Sequence, residues 1–173
     1  YGHVSQVIAV PESFPVNNLS DLITEFAEKR KTLRISTEYL TTTSSHLKSN
    51  SAYNKYFGDS DPLIITPWLR VGTNKNVQIF LSFGATEAKP PEDVDAIFDI
   101  TETGTTIMQN NLKIIDTVME SSAILIANKA SLKNMAKREK IADMLALLKG
   151  VVEARKKVHI FMNVKEENIS SIL

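Results

Sequence analysis

The sequence has 173 residues, of which 43% are hydrophobic, and its 20 Lys and Arg balance its 20 Asp and Glu. This length and composition allow a sizeable core, and the zero net charge argues against a general binder of nucleic acid. Because cysteine is absent, disulfides and thiolate chemistry are excluded, and the cytoplasm is the default compartment. No apolar run approaches the roughly 20 residues that cross a bilayer. We therefore expect a soluble protein without nucleic-acid or membrane partners.

The first 39 residues predict a strand, a helix and a second strand. Residues 4–10 are apolar at nearly every position, and residues 19–26 place apolar side chains at helical spacing, with Asn18 or Ser20 available as the cap. Residues 33–39 alternate as a strand does. A strand, helix and strand in succession usually form a parallel pair with a right-handed crossover, so we expect an α/β sheet.

The rest of the chain continues this alternation of strands and helices. Residues 41–58 predict a helix that ends near Gly58, and strands 63–66 and 77–83 are expected to pair as a hairpin. The remaining predicted elements are a strand at 95–100, a helical turn at 107–110, strands at 113–119 and 123–127, a long helix from Ser131, a strand at 158–164 and a helix from Glu166.

The strongest chemical motif is DITETGTT, between a predicted strand and a helix start. Glycine allows a tight turn whose amides and threonine hydroxyls suit a phosphate, whereas the acids suit sugar hydroxyls or a bound Mg²⁺. An ordinary polar helix start with two surface acids fits the same residues equally well. The residues of this candidate phosphate loop are Asp99, Glu102, Thr103, Gly104, Thr105 and Thr106.

Two further motifs also follow predicted strands, at the edge where ligands of open α/β sheets bind. The segment GATEAKPP contains Glu87, which could hydrogen-bond a ligand, although an ordinary loop is the alternative. Tyr39 could stack on a nucleobase, or it could be a half-buried core residue. His3, His46 and His159 lack metal-ligand spacing, so we predict no metal site built from histidines.

Five segments of the chain share a pattern with a known family. They are VIAVPES, RISTEY, SFGATEAKPPEDVDAIFDITETGTT, NNLKIIDTVMESSAILIANK and LLKGVVEARKKVHIFMNV. Together they resemble ATP phosphoribosyltransferase, the first enzyme of histidine biosynthesis. The resemblance implies a lobe of the type II periplasmic-binding-protein kind with a mixed, mostly parallel sheet. It also implies that the start of a ferredoxin-like regulatory domain follows this lobe, as in the long form of the family.

The resemblance implies an enzyme, a glycosyltransferase that joins ATP to phosphoribosyl pyrophosphate and yields phosphoribosyl-ATP and pyrophosphate. It assigns the 5-phosphate and ribose of phosphoribosyl pyrophosphate to Asp99, Glu102, Thr103, Gly104, Thr105 and Thr106. It places Tyr39 and Glu87 on the nucleotide side, leaves the catalytic residues unknown, and implies Mg²⁺ as cofactor. Histidine is implied as the feedback effector of a homo-oligomeric enzyme.

The resemblance also divides the chain. Residues 4–106 correspond to the second catalytic lobe, 107–130 to strands returning to the first lobe, 131–157 to a connecting helix and 158–173 to the start of the regulatory domain. The family pattern has a further segment before the first residue, so we expect an incomplete active site here. Residues 49–76 exceed the usual length and are expected to form a surface excursion. The alternative is a non-catalytic module that binds phosphate ligands or regulates a partner.

Overall fold

A computed structural model of the chain describes residues 2–155 and 157–171. They form two compact units, Gly2–Ala123 and a second unit that begins at Ile124. We call them the sheet unit and the helical unit. None of the described helices is long and apolar enough to cross a membrane.

The sheet unit contains seven strands in one sheet and four α-helices. The strands are β1 His3–Pro11, β2 Leu33–Thr37, β3 Pro62–Ile65, β4 Arg70–Val71, β5 Asn74–Leu81, β6 Ala96–Thr101 and β7 Leu112–Ser122. The helices are α1 Leu19–Glu28, α2 Leu40–Ser49, α3 Ser51–Phe57 and α4 Thr105–Gln109, with a 3₁₀ turn at Thr86–Ala88. The strand order is β4-β3-β5-β2-β6-β1-β7.

The sheet is mixed, which confirms the predicted α/β class. Strands β3, β5, β2 and β6 run parallel to one another, whereas β4, β1 and β7 pair antiparallel with their neighbours. The predicted parallel pair of β1 and β2 is wrong, because β6 lies between them and runs antiparallel to β1. Ala96, Ile97 and Phe98 of β6 are completely buried, and a central place in the sheet covers both of their faces.

The predicted hairpin of strands 63–66 and 77–83 is also wrong. Strand β3 instead pairs antiparallel with the two-residue strand β4, and it runs parallel to β5. The turn between β3 and β4 is closed by the Thr66 amide, which donates to the Leu69 carbonyl at 2.9 Å. This short return brings the chain back, so that β5 starts at the same end of the sheet as β3.

Helix α1 forms as the sequence predicts, and Asn18 is its cap. The Asn18 side chain accepts a hydrogen bond from the Asp21 amide at 2.8 Å. The expected surface excursion at residues 49–76 is wrong, since this segment supplies α3 and a sheet edge. Tyr53 of α3 is completely buried, and its hydroxyl donates to the Ser60 carbonyl at 2.8 Å and accepts from Asn74 at 3.0 Å.

Two apolar clusters cover the two faces of the sheet. The larger one joins helices α1, α2 and α3 to the sheet through residues such as Leu22, Leu47 and Tyr53. The smaller one places Ile107 of α4 over Val7, Ala9, Ile97 and Leu112. Helix α4 is therefore fixed by the burial of Ile107, although it has only five residues.

The end of the chain differs more from the predictions. One strand, β7, replaces strands 113–119 and 123–127, and residues 123–128 have no regular secondary structure. The helical unit contains α5 Lys129–Lys133 and α6 Met135–Ala154, which largely confirm the long helix, with a break at Asn134. The strand at 158–164 does not form, because no described strand pairs with its backbone. A 3₁₀ helix at Glu166–Ser171 stands where an α-helix was predicted. The assignment of residues 4–106, 107–130, 131–157 and 158–173 to parts of the family fold stays a prediction.

Candidate functional site

Three candidate segments lie at one edge of the sheet. Strands β2, β5 and β6 are parallel, so the residues that follow them leave the sheet at the same end. Glu38 and Tyr39 follow β2, residues 82–89 follow β5, and residues 102–106 follow β6. The structure therefore brings together the motifs that the sequence places behind separate strands, as expected for an open α/β sheet.

The candidate phosphate loop is a tight turn closed by its own threonines. Gly104 adopts a φ of +74°, in the left-handed region that favours glycine. Its amide donates to Thr101 Oγ1 at 2.8 Å, and the Thr105 amide donates to Thr103 Oγ1 at 3.3 Å. The hydroxyl oxygens of Thr103 and Thr105 lie 2.8 Å apart. The loop is thus preformed, and rotation of its hydroxyls would release donors towards an anion.

The loop is open to a ligand. Glu102, Thr103, Thr105 and Thr106 are all exposed, whereas Gly104 is buried over β7. A cleft of about 480 Å³ beside the loop is lined by Thr103, Gly104, Glu12 and Lys113 among others. The Lys113 ammonium in that cleft donates to the Phe14 carbonyl at 2.7 Å. The cleft therefore offers the Thr103 hydroxyl and one cation, beside the Glu12 carboxylate and four apolar side chains.

Asp99 lies at the acidic side of the same edge. Burial raises the pKa of its carboxyl above the ordinary value, although the Ile100 amide, which donates to Asp99 Oδ1 at 2.7 Å, acts in the opposite direction. The charges of Glu87 and Glu38 raise the pKa of Asp99 further. Glu87, predicted in a loop, and Asp99, predicted near the end of a strand, therefore influence each other's charge in the folded protein.

Tyr39 is a half-buried residue at the start of α2, which agrees with its interpretation from the sequence as a half-buried core residue. Its amide donates to Thr37 Oγ1 at 2.8 Å, and its carbonyl accepts from the Thr43 hydroxyl at 2.8 Å. The ring packs against Phe98 with a centroid distance of 6.2 Å. Burial, followed by the charges of Glu38 and Asp99, raises the pKa of the Tyr39 phenol. The ring is thus both a packing residue and a neighbour of the acidic side.

Three residues near this edge received no role from the sequence, although Glu38 and Lys89 lie in or beside the candidate motifs. Glu38 accepts a hydrogen bond from the Gly84 amide at 2.9 Å, and Phe83 is 75% exposed. The Lys89 ammonium donates to the Ser82 hydroxyl beneath the loop that follows β5. Their place in the sequence could have identified them, because each residue follows a predicted strand whose end lies at this edge of the sheet.

A metal at this edge would have few protein ligands. Within residues 2–155 and 157–171, no group of three His, Cys, Asp or Glu side chains is placed to hold a metal ion. Mg²⁺ commonly binds through one or two carboxylates together with substrate phosphates, keeping several waters. Asp99 and Glu102 are two carboxylates in the candidate phosphate loop, so their chemistry fits that donor set. His46 pairs with Asp116, at 2.8 Å between Nε2 and Oδ2.

Comparison with known proteins identifies the family. A family profile described as HisG: ATP phosphoribosyltransferase matches residues 1–150. The ATP phosphoribosyltransferases of Chlorobaculum parvum and Thermodesulfovibrio yellowstonii are 37% and 35% identical over 170 residues, which is 98% of this chain and 47% and 48% of theirs. This chain therefore spans about half the length of the curated relatives that it matches.

A solved structure also matches, described as an ATP phosphoribosyl transferase (HisG:HisZ) complex from Thermotoga maritima. It is 23% identical with a TM-score of 0.45, over 88% of this chain and 58% of that one. The family profile covers most of the sequence, and the residues of the candidate phosphate loop lie within the matched range. This chain belongs to the ATP phosphoribosyltransferase family.

Proposed function

We propose that this chain supplies the part of an ATP phosphoribosyltransferase that binds phosphoribosyl pyrophosphate. In this reaction a ring nitrogen of the adenine of ATP attacks the anomeric carbon of phosphoribosyl pyrophosphate. The bond to pyrophosphate breaks, and phosphoribosyl-ATP forms. The observation that carries the proposal is the preformed turn at residues 101–106, which is rich in threonine hydroxyls. It directly follows the strand that contains the partly buried Asp99 carboxyl, so both lie at one edge of the sheet.

The two sides of this edge suit different parts of the substrate. The turn that contains Thr103, Gly104 and Thr105 carries no cationic side chain, and its Gly104 and Thr105 amides donate to threonines within the turn, so it would hold the 5-phosphate through its threonine hydroxyls. Thr106 extends the same hydroxyl-bearing surface. The carboxyls of Asp99 and Glu102 would repel a bare phosphate but accept hydrogen bonds from ribose hydroxyls. The difference in charge therefore orients the sugar phosphate along the edge.

Catalysis in this proposal comes from alignment, without a covalent nucleophile. The reacting carbon becomes cationic in the transition state, and a carboxylate close to the ribose stabilises that charge. Mg²⁺, when bound, would neutralise the departing pyrophosphate, and Asp99 and Glu102 are the carboxylates that we propose to hold it. Tyr39 and Glu87 lie towards the nucleotide side, where the Tyr39 ring offers an apolar face to adenine.

The proposal extends to the assembly of the protein. Both units expose large apolar side chains, including Trp68 at 73%, Ile126 at 80% and Phe161 at 86%. Surfaces of this kind are covered in oligomers, so a homo-oligomer is proposed. Histidine as feedback effector and a cytoplasmic location follow from the proposed place in histidine biosynthesis.

Calorimetric titration tests the loop. The 173-residue chain is titrated with phosphoribosyl pyrophosphate in the presence of Mg²⁺, and the Thr105→Val, Thr106→Val double variant is titrated in parallel. Valine keeps the branched shape and removes the hydroxyl, so we expect affinity to fall by about tenfold or more. Thr117→Val, at an exposed site on β7, is the matched control and should bind as the unchanged chain does. No binding, or equal binding by all three proteins, would contradict the assignment.

A second measurement separates an enzyme from a binding module. The chain, joined to the remainder of its protein, is incubated with ATP, phosphoribosyl pyrophosphate and Mg²⁺, and formation of phosphoribosyl-ATP is followed by absorbance. We expect formation that the Asp99→Asn variant lowers. A folded protein that binds phosphoribosyl pyrophosphate but forms no phosphoribosyl-ATP would favour the non-catalytic alternative.

A further inference from the structure

The carboxylate of Glu38 links two loops at the candidate site. Its Oε1 atom accepts the Gly84 amide hydrogen at 2.9 Å, across 46 residues of sequence. Just before it, the Ser82 amide donates to the Thr37 carbonyl at 3.0 Å, which continues the β2–β5 ladder beyond the last paired residues. The Glu38 side chain therefore connects the segment after β2 to the segment after β5, just beyond the last backbone hydrogen bond between them.

The loop on the other side of this bond has an unusual backbone. Gly84 and Ala85 both adopt left-handed conformations, with φ of +69° and +48°. Alanine occupies that region only when its surroundings hold it there, because its Cβ is crowded. Side chains at the two ends of the loop also hold it: the Ser82 and Thr86 hydroxyl oxygens lie 3.3 Å apart, and the Lys89 ammonium donates to the Ser82 hydroxyl. On its solvent-exposed side, the loop is held by the hydrogen bond from the Gly84 amide to Glu38.

The position of Glu38 couples this loop to the rest of the site. Tyr39 is the next residue in sequence, and Glu87 lies three residues beyond Gly84 on the 3₁₀ turn Thr86–Ala88. The charge of Glu38 acts on both the Tyr39 phenol and the Asp99 carboxyl, raising the pKa of each. Glu38 is thus bonded to the loop that carries Glu87 and is adjacent in sequence to Tyr39.

We propose that Glu38 is a positioning residue, which holds the loop 84–88 against the end of β2. It thereby sets the spacing between Tyr39 and Glu87 in which the adenine nucleotide binds. The consequence for ATP rests on the function proposed above. The bond needs an oxygen acceptor but no charge. The side-chain oxygen of glutamine can therefore accept the Gly84 amide hydrogen in place of the Glu38 carboxylate, whereas alanine offers no acceptor.

Amide hydrogen exchange tests the bond without any ligand. The Gly84 amide of the 173-residue chain is followed by NMR in the unchanged protein and in the Glu38→Ala and Glu38→Gln variants. Loss of a hydrogen bond to a charged acceptor should speed exchange by about tenfold in Glu38→Ala. Glu38→Gln should stay within about threefold of the unchanged chain, since the acceptor is retained. Glu92→Ala, which removes an exposed acid after the same loop, is the control and should leave exchange unchanged.

Calorimetry on the same variants tests the consequence for substrate. We expect Glu38→Ala to weaken ATP binding by about tenfold, because a displaced group loses its alignment, and Glu38→Gln to restore most of that affinity. Binding of phosphoribosyl pyrophosphate with Mg²⁺ should weaken less than ATP binding in Glu38→Ala, because the turn at residues 101–106 is closed by its own threonines and does not depend on the Glu38–Gly84 bond. A general structural defect would instead weaken both ligands together.

Two results would overturn the proposal. One is unchanged Gly84 exchange and unchanged ATP binding in Glu38→Ala. The other is a Glu38→Gln variant as defective as Glu38→Ala, which would show that charge matters and the bond does not. Failure of the unchanged chain to bind ATP would count against the proposed function, and the exchange comparison would still confirm or overturn the loop-holding role by itself.

Discussion

Arg34 and Asp95 form a bidentate ion pair that joins β2 to the residue preceding β6. The Arg34 guanidinium donates from Nε to Asp95 Oδ2 at 3.0 Å and from Nη2 to Asp95 Oδ1 at 2.9 Å. The two backbones also bond to each other, since the Asp95 amide donates to the Arg34 carbonyl at 2.9 Å. The Asp95 side chain is only 13% exposed. This pair sets the register of the two strands at the sheet edge opposite the candidate site.

Removing this pair should destabilise the sheet unit. Arg34→Ala removes the guanidinium from a mostly buried carboxylate and leaves it the amide of residue 34 as a donor, at 2.9 Å from Oδ2, so we expect the free energy of unfolding to fall by about 2 kcal/mol. Arg34→Lys keeps the charge but loses the planar bidentate geometry, and should recover only part of the loss. Urea unfolding followed by circular dichroism measures both. Lys29→Ala, which breaks the exposed Lys29–Glu25 pair on α1, is the control, with an expected change of about 0.5 kcal/mol or less. Equal effects of Arg34→Ala and Lys29→Ala would contradict the register role.

Gly72, between β4 and β5, has no room for a side chain. A Cβ added there would lie 2.0 Å from the Pro62 carbonyl oxygen, and its φ of +111° is unfavourable for other residues. We expect Gly72→Ala to lower the free energy of unfolding by about 3 kcal/mol or more. Gly58→Ala is the matched control, because φ is +59° but no described heavy atom lies within 4 Å of the added Cβ. Its expected loss is only about 1 to 2 kcal/mol, from conformation alone. Chemical denaturation compares the two, and similar losses would show that the contact with Pro62 is easily relieved.

The raised pKa of Asp99 predicts a pH-dependent stability cost. Burial, aided by Glu87 and Glu38, makes the folded protein hold the Asp99 proton more tightly than the unfolded chain does. Stability therefore falls as pH rises from the ordinary carboxyl pKa through the raised one, and the full cost persists above that range. We expect Asp99→Asn to raise the urea midpoint at pH 7, and its effect to shrink as the pH falls to and then below the ordinary carboxyl pKa, where Asp99 becomes neutral in both states.

The same variant separates stability from binding. Asp99→Asn should weaken binding of phosphoribosyl pyrophosphate while it stabilises the fold, since the carboxylate is proposed to serve the ligand. Glu92→Gln, at an exposed position, should change neither property. A stabilisation by Asp99→Asn that is the same at pH 7 and below the ordinary carboxyl pKa would argue against the titration of Asp99 as its cause.

Gly150 lies inside helix α6, and the structure shows no packing reason for it. Among the described residues, none has a heavy atom within 4 Å of the position that a Cβ would take. Gly150→Ala should therefore stabilise the helix by about 0.5 to 1 kcal/mol. Thermal melting at 222 nm measures the change. Ala146→Gly is the reciprocal control and should lower helicity, and a loss of stability in Gly150→Ala would reveal a close contact at this position.

Local patterns predicted many elements correctly. Strands β1, β2 and β6 are short apolar runs, and α1 has an apolar stripe with an Asn18 cap, so each is decided within about ten residues. The rule that parallel strands end at one edge also anticipated the meeting of Tyr39, Glu87 and Asp99. Strand order was not predicted, because the insertion of β6 between β1 and β2 depends on pairing between segments far apart in the chain, which also buries Phe98 completely.

The amino-acid sequence by itself determined the alternating elements, the glycine turn at Gly104 and the family of this protein, because these depend on local spacing and local backbone preference. Only the tertiary structure decided that β1 runs antiparallel to β6, that Tyr53 is a core residue and that Glu38 bonds Gly84. Those contacts join residues tens of positions apart, and their energies come from burial and hydrogen bonding across the folded sheet. No local pattern encodes such pairings, since the partner of each side chain is chosen by the packing of the whole unit.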